Sequence, residues 1–150
     1  MKFEQYAQDG RQFVNEIVRE LGEPDADHAE RVMTAVLHTL RDILSPEESM
    51  HFISQLPMLI KAIYVNGWHF QPKNRIRSVD EFVECLMLQN PRTAPRDFGN
   101  NETALNKTRA VFRVLRRHVS EGEITDVVNQ FPDELVSLWF SEEARQTTET

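Results

Sequence analysis

Ser45-Pro-Glu-Glu-Ser-Met-His-Phe-Ile-Ser-Gln-Leu-Pro57 and Ser120-Glu-Gly-Glu-Ile-Thr-Asp-Val-Val-Asn-Gln-Phe-Pro132 are one pattern written twice, 75 residues apart. Each copy opens on a serine with a glutamate three residues later, the spacing of a capping box in which hydroxyl and carboxylate satisfy the free N–H groups of a helix start. Each closes on Gln-Leu/Phe-Pro. The residue before a proline is pushed out of the α region, so Leu56 and Phe131 end one helix. The fixed φ of Pro57 and Pro132 then starts the next at a sharp angle, with the glutamine amide placed to serve polar groups left open at the corner.

The repetition extends outward on both sides. The same shift of 75 pairs Ala35 with Ala110, Val36 with Val111, Leu40 with Leu115 and Arg41 with Arg116, and further on Ile60 with Leu135, Ile63 with Leu138 and Tyr64 with Trp139. Upstream, Phe13-Val14 and Ile17 match Phe82-Val83 and Leu86 at a shift of 69, which places a six-residue insertion of the second copy within Asn90–Asn101. Caps, core positions and helix breaks agree together, as a repeat architecture requires.

The segments between breaks have helical period. Ala29, Val32, Val36, Leu40 and Ile43/Leu44 form one stripe, and Ala104, Thr108, Val111, Leu115 and Val119 another. Further starts are marked by Ser78 with Glu81, by Asp25 or Asp27, and by Asn100 or Asn101. Eight helices are expected, at about 3–21, 26–44, 46–55, 57–66, 79–90, 102–118, 121–130 and 132–144. Gly10 is a blemish in the first, costing about 1 kcal/mol against alanine and predicting a bend or fraying before Arg11. The expected fold is all-α: eight helices as two tandem, pseudo-two-fold-related four-helix repeats packed into one bundle. Repeat one covers about 3–66, a linker 67–77, repeat two 78–144 and a flexible tail 145–150. All lie in a single domain, because neither half closes a core alone.

Composition narrows the function. Hydrophobic residues make up 40% and charged residues 27%, ordinary for a soluble globular protein, while 5 glycines and 7 prolines are too few for an all-β chain. A net charge of −7 argues against nucleic acid or an anionic membrane as partner. The lone Cys85 and an N-terminus without an apolar signal stretch point to a cytoplasmic protein that is not exported.

Ser-x-x-Glu followed by Gln-Leu-Pro, then Ile63-Tyr64 and Gly67-Trp68, with an abbreviated echo at Leu138-Trp139, resembles the domain-of-unknown-function family 2267. Phe3-Glu4-Gln5-Tyr6-Ala7 and Ala35-Val36-Leu37-His38-Thr39-Leu40-Arg41-Asp42 are similar to it as well, so the resemblance spans about residues 3–140. It implies an all-helical bacterial protein and brings no activity. The Pro-rich loop Asn90–Gly99 departs from the family pattern.

No cluster has the spacing of a catalytic or metal site. Glu48-x-x-His51 has the spacing of one half of a di-iron site, but the second copy offers Glu123 and Asp126, and Glu48 has a capping role. No metal or other cofactor is therefore implied. His28, His38, His51, His69 and His118 are scattered, Cys85 lies on a core-like face, and Ser45, Ser78 and Ser120 are caps. Two features exceed structural need. Arg109, Arg113 and Arg116 share a helix face and Arg92 and Arg96 precede them, a candidate patch for an anion or an acidic partner. Tyr64, at the end of the last helix of the first copy, and Trp68 and Phe70 just after it form a candidate aromatic interface. The leading expectation is a non-catalytic helical protein acting through protein–protein contact or self-association. The alternative is a small-molecule or anion-binding protein, an enzyme included, with a cleft between the repeats.

Overall fold

The computed structural model describes residues 2–69 and 75–140. Its elements are α1 (Phe3–Leu21), α2 (Ala26–Ile43), α3 (Pro46–Ile53), α4 (Met58–Val65), α5 (Val79–Leu88), α6 (Ala94–Phe98), α7 (Asn101–His118), α8 (Glu121–Val128), a 3-10 turn (Asp133–Leu135) and α9 (Ser137–Phe140). The described residues contain helices and no strand. Among them, no helix is long and apolar enough to cross a membrane.

The expected caps form. Ser45, Ser78 and Ser120 accept from the N–H three residues on at 3.1, 3.1 and 3.2 Å, and Asn100 accepts from Thr103 N at 2.8 Å. Asp25 accepts from both Asp27 N and His28 N. Helix α1 closes on Gly22, whose φ of 74° allows its N–H to reach the Val18 carbonyl.

Three local expectations change. Helix α1 runs unbroken through Gly10, which is buried where α4 crosses; a Cβ there would lie 3.3 Å from Cβ and Cδ1 of Leu59. Glycine is thus a close-approach residue, not a defect. The inserted loop contains the short helix α6, with Ala94, Asp97 and Phe98 buried. The last segment begins as a 3-10 turn, with bonds from Leu135 N to Pro132 O and Val136 N to Asp133 O, before α9; residues 141–144 lie outside the described residues. This tighter winding brings Leu135, Leu138 and Trp139 into the core together.

Helices α2 and α7 pack on each other at the centre. The first helix of each half lies on the long helices of both: α1 packs on α2 and α7, and α5 on α7 and α2. Helix α4 packs on α2, α9 on α7, and α3 directly on α8. One core cluster runs through these contacts, from Phe13 and Ile17 of α1 to Leu138 and Trp139 of α9. The Trp139 ring stacks on Phe112 at 3.8 Å and 8°.

Candidate functional site

The contact between α3 and α8 is where the two copies of the opening pattern meet. Gln55 Oε1 accepts from Ser120 N at 2.7 Å, and Gln130 Oε1 accepts from Ser45 N at 2.8 Å. These are the N–H groups that the capping-box glutamates were expected to satisfy. The serine half of each box forms as expected, but the carboxylate half is replaced by a glutamine from across the seam. At the third such start, Glu81 instead accepts from Arg77 N at 3.0 Å and from the Ser78 hydroxyl at 3.3 Å.

Relieved of that role, Glu48 and Glu123 face each other. Oε2 of each is buried with no hydrogen-bond partner. Burial, then the bond to and charge of Glu48, then the charge of Asp126, push the Glu123 carboxyl up to about 7. His51, one turn beyond Glu48, brings an imidazole nitrogen to the pair: one ligand atom from each of Glu48, His51 and Glu123 lies within 4.8 Å of the others. The arrangement can share a proton or hold a cation. The signal was present in sequence as the shift that pairs Glu48 with Glu123, but the face-to-face approach was not.

The arginine patch is redistributed. Arg113 and Arg116 line a cleft of about 530 Å³ together with Arg117, Glu121, Thr125 and Phe140. Arg117, not singled out from sequence, takes the place expected of Arg109, whose guanidinium donates to Asn106 Oδ1 at 2.9 Å. Arg92 and Arg96 are exposed on the inserted loop and do not line the cleft. The cleft's charge is partly met from α1. Arg113 Nε donates to Glu20 at 2.8 Å, Arg117 pairs with both Glu20 and Glu16, and His118 Nε2 lies 2.8 Å from Glu16. Burial disfavours the Glu20 charge, but the bonds and charges of Arg113 and Arg117 outweigh it and hold its carboxyl below the usual range. Arg116 donates to the Trp139 carbonyl at 3.0 Å and lies 5.1 Å over the Phe140 ring.

The aromatic set also divides. Tyr64 is fully buried, its hydroxyl 2.7 Å from Ser49 Oγ, and presents no surface. Trp68 is half-buried, edge-on to Tyr64 at 5.8 Å and 5.9 Å from the Arg41 guanidinium. Phe70 lies outside the described residues. An exposed apolar surface lies instead on the outer face of α4, where Met58, Leu59, Ala62 and Val65 meet solvent.

A model of one family, "Uncharacterized conserved protein (DUF2267)", matches residues 10–138. The chain belongs to the DUF2267 family. The match takes in all three Ser-x-x-Glu boxes, both glutamine joints and the inserted loop, so the seam lies wholly within the DUF2267 domain. A search of the curated proteins finds no match to this chain.

His38 Nε2 lies 2.8 Å from the Ile63 carbonyl, and burial lowers its pKa. Burial first, and Asp42 beside it, push the Cys85 thiol up to about 11, the opposite of an activated nucleophile. His28, buried on α2, lies 3.2 Å from Asp97 of the inserted loop and 3.0 Å from Glu23 and from Lys107 Nζ.

Proposed function

We propose that this DUF2267 chain is a non-catalytic binding protein that associates with a second copy of itself through the outer face of α4. The observation that carries this reading is the run of exposed apolar side chains there: Met58 is 44% exposed, Leu59 42% and Val65 40%, with Ala62 between them. A contiguous apolar face on a soluble chain marks an interaction surface. A second copy is the occupant that charge favours. From Met58 to His69 the sequence carries Lys61 as its sole Lys, Arg, Asp or Glu, whereas the chain as a whole has a net charge of −7. Two copies would repel over most of their surfaces and meet without repulsion at this face, where like surfaces pair about a two-fold.

Light scattering coupled to size exclusion, over about a hundredfold range of concentration, tests the reading. A dimer that forms with concentration in the native chain and is lost in a Met58→Lys/Val65→Lys variant supports it. A monomer at every concentration rejects it.

Residues 3–66 and 78–144 are read as two tandem repeats about an approximate two-fold, within a single domain. The reciprocal Gln55–Ser120 and Gln130–Ser45 bonds and the mirrored packing of α1 and α5 support this. The free Cys85 suits a reducing, cytoplasmic setting. A second reading, binding of an anion, rests on the cleft around Arg113, Arg116 and Arg117. Glu16 and Glu20 already face two of those guanidiniums, which weakens it. Stabilisation by phosphate or sulfate, lost in Arg116→Gln, is the result it requires.

A further inference from the structure

We propose that Glu48, His51 and Glu123 bind one divalent transition-metal cation at the seam between α3 and α8. The three side chains already converge, with one ligand atom from each within 4.8 Å of the others. Each of the two carboxylates has an oxygen left over. Oε2 of Glu48 and Oε2 of Glu123 are both buried and neither has a hydrogen-bond partner. Buried carboxylate oxygens left unpaired are costly, and a cation is the group that satisfies both at once.

The local chemistry explains why these oxygens are free. In an ordinary capping box each glutamate would turn back to its own serine N–H. Here Gln55 and Gln130 occupy those N–H groups from the opposite half, which turns both carboxylates toward the seam. On α3 the i, i+3 spacing then sets His51 on the same helix face as Glu48.

The donor set defines the ion. Two carboxylates supply a charge of −2, matching a divalent cation. An imidazole nitrogen favours first-row transition metals such as zinc over magnesium or calcium, which prefer oxygen throughout. The exposure of His51 leaves the outer side of the ion open for further ligands. A single ion is expected, because where the first copy has His51 the second has Asp126, which does not join the three. Such an ion would clamp α3 to α8 and so tie the two halves of the chain together. The competing occupant is a proton shared by Glu48 and Glu123.

The test uses the full, untagged chain stripped of metal with a chelator. It is titrated with zinc, and separately with magnesium, by calorimetry and by thermal unfolding. One zinc per chain is expected, with a raised unfolding midpoint and no response to magnesium. Because His51 is exposed, His51→Gln keeps the fold and should weaken zinc binding by about tenfold or more. Glu123→Gln should abolish it while circular dichroism stays helical. Cobalt(II) in place of zinc should give visible absorption bands that His51→Gln removes. Absence of zinc binding would overturn the proposal and leave the shared proton. Equal binding by the native chain and His51→Gln would overturn it too, since the ion would then sit elsewhere. The Met58→Lys/Val65→Lys variant should bind zinc like the native chain, which separates this site from the α4 face.

Discussion

Gln55 and Ser120 stand 65 residues apart in the chain and are joined by a 2.7 Å hydrogen bond, Ser120 N donating to Gln55 Oε1. Gln130 returns the same bond to Ser45 at 2.8 Å. Each half of the chain thereby caps a helix of the other. Gln55→Ala and Gln130→Ala should each cost about 1 kcal/mol, the usual loss when one partner of a solvent-near hydrogen bond is removed. Urea denaturation gives the value. No loss in either variant would show that Glu48 or Glu123 swings back into the box.

The carboxyl pair makes the metal-free chain sensitive to pH. The folded Glu123 carboxyl titrates at about 7, above the ordinary value of 4.5, so the folded state holds a proton that the unfolded chain releases. Its contribution to stability is therefore complete below 4.5 and is lost as pH rises toward 7. Glu123→Gln removes that titration. The variant should gain up to about 1 kcal/mol on the native chain at pH 8, solvent screening allowed for, and nothing at low pH. Melting curves at the two ends of the range check this, with metal-free buffer throughout.

Asp97 anchors the inserted loop and has the opposite dependence. It is 2% exposed and bonds Arg31 Nε at 3.1 Å and Nη2 at 3.0 Å. Burial works against its charge, but the bonds and charge of Arg31 and the charge of His28 outweigh it and hold the carboxyl below the ordinary 3.8. Its stabilising contribution is present above 3.8 and is lost as pH falls through the lower folded value. Asp97→Asn should cost about 2 kcal/mol at neutral pH, because it leaves Arg31 and His28 without their shared acid. The difference from the native chain should shrink in acid. A constant difference down to the acid transition would mean that the charge contributes nothing.

Gly10 offers a cleaner steric test. A valine there meets Leu59 across the α1–α4 contact and should destabilise by about 1–3 kcal/mol. Alanine sets a helix-propensity gain of about 1 kcal/mol against the same crowding and should come out near neutral. If valine were harmless, α4 would have to shift freely over α1, and the outer face of α4 would not be a fixed surface.

Much of the helical framework was legible in the chain because its determinants are local. Ser45, Ser78 and Ser120 act within three residues of themselves, and Pro57 and Pro132 constrain their immediate neighbours. The periodic apolar positions that set the core, Val36 and Leu40 or Val111 and Leu115, are all buried. Helix α6 escaped because it is five residues long and is held by Asp97 contacts to α2, which no periodicity records. The arginine and aromatic patches were half legible. Spacing on α7 grouped the arginines, but the direction of each depended on Glu16 and Glu20 of α1. Tyr64, grouped with Trp68 and Phe70 as a candidate interface, is core, and Ser49 of α3 reaches its hydroxyl.

By itself the sequence determined an all-helical chain, where its helices begin and break, and that Glu48 and Glu123 hold equivalent places in a repeated pattern. Only the tertiary structure decided that those two carboxyl groups point at each other, with His51 beside them. The reason lies in what hydrogen bonding satisfies. A capping box is closed within four residues when its own glutamate serves it, and that preference is written locally. Gln55 and Gln130 override it from 65 and 85 residues away, and only packing of α3 on α8 brings them within reach.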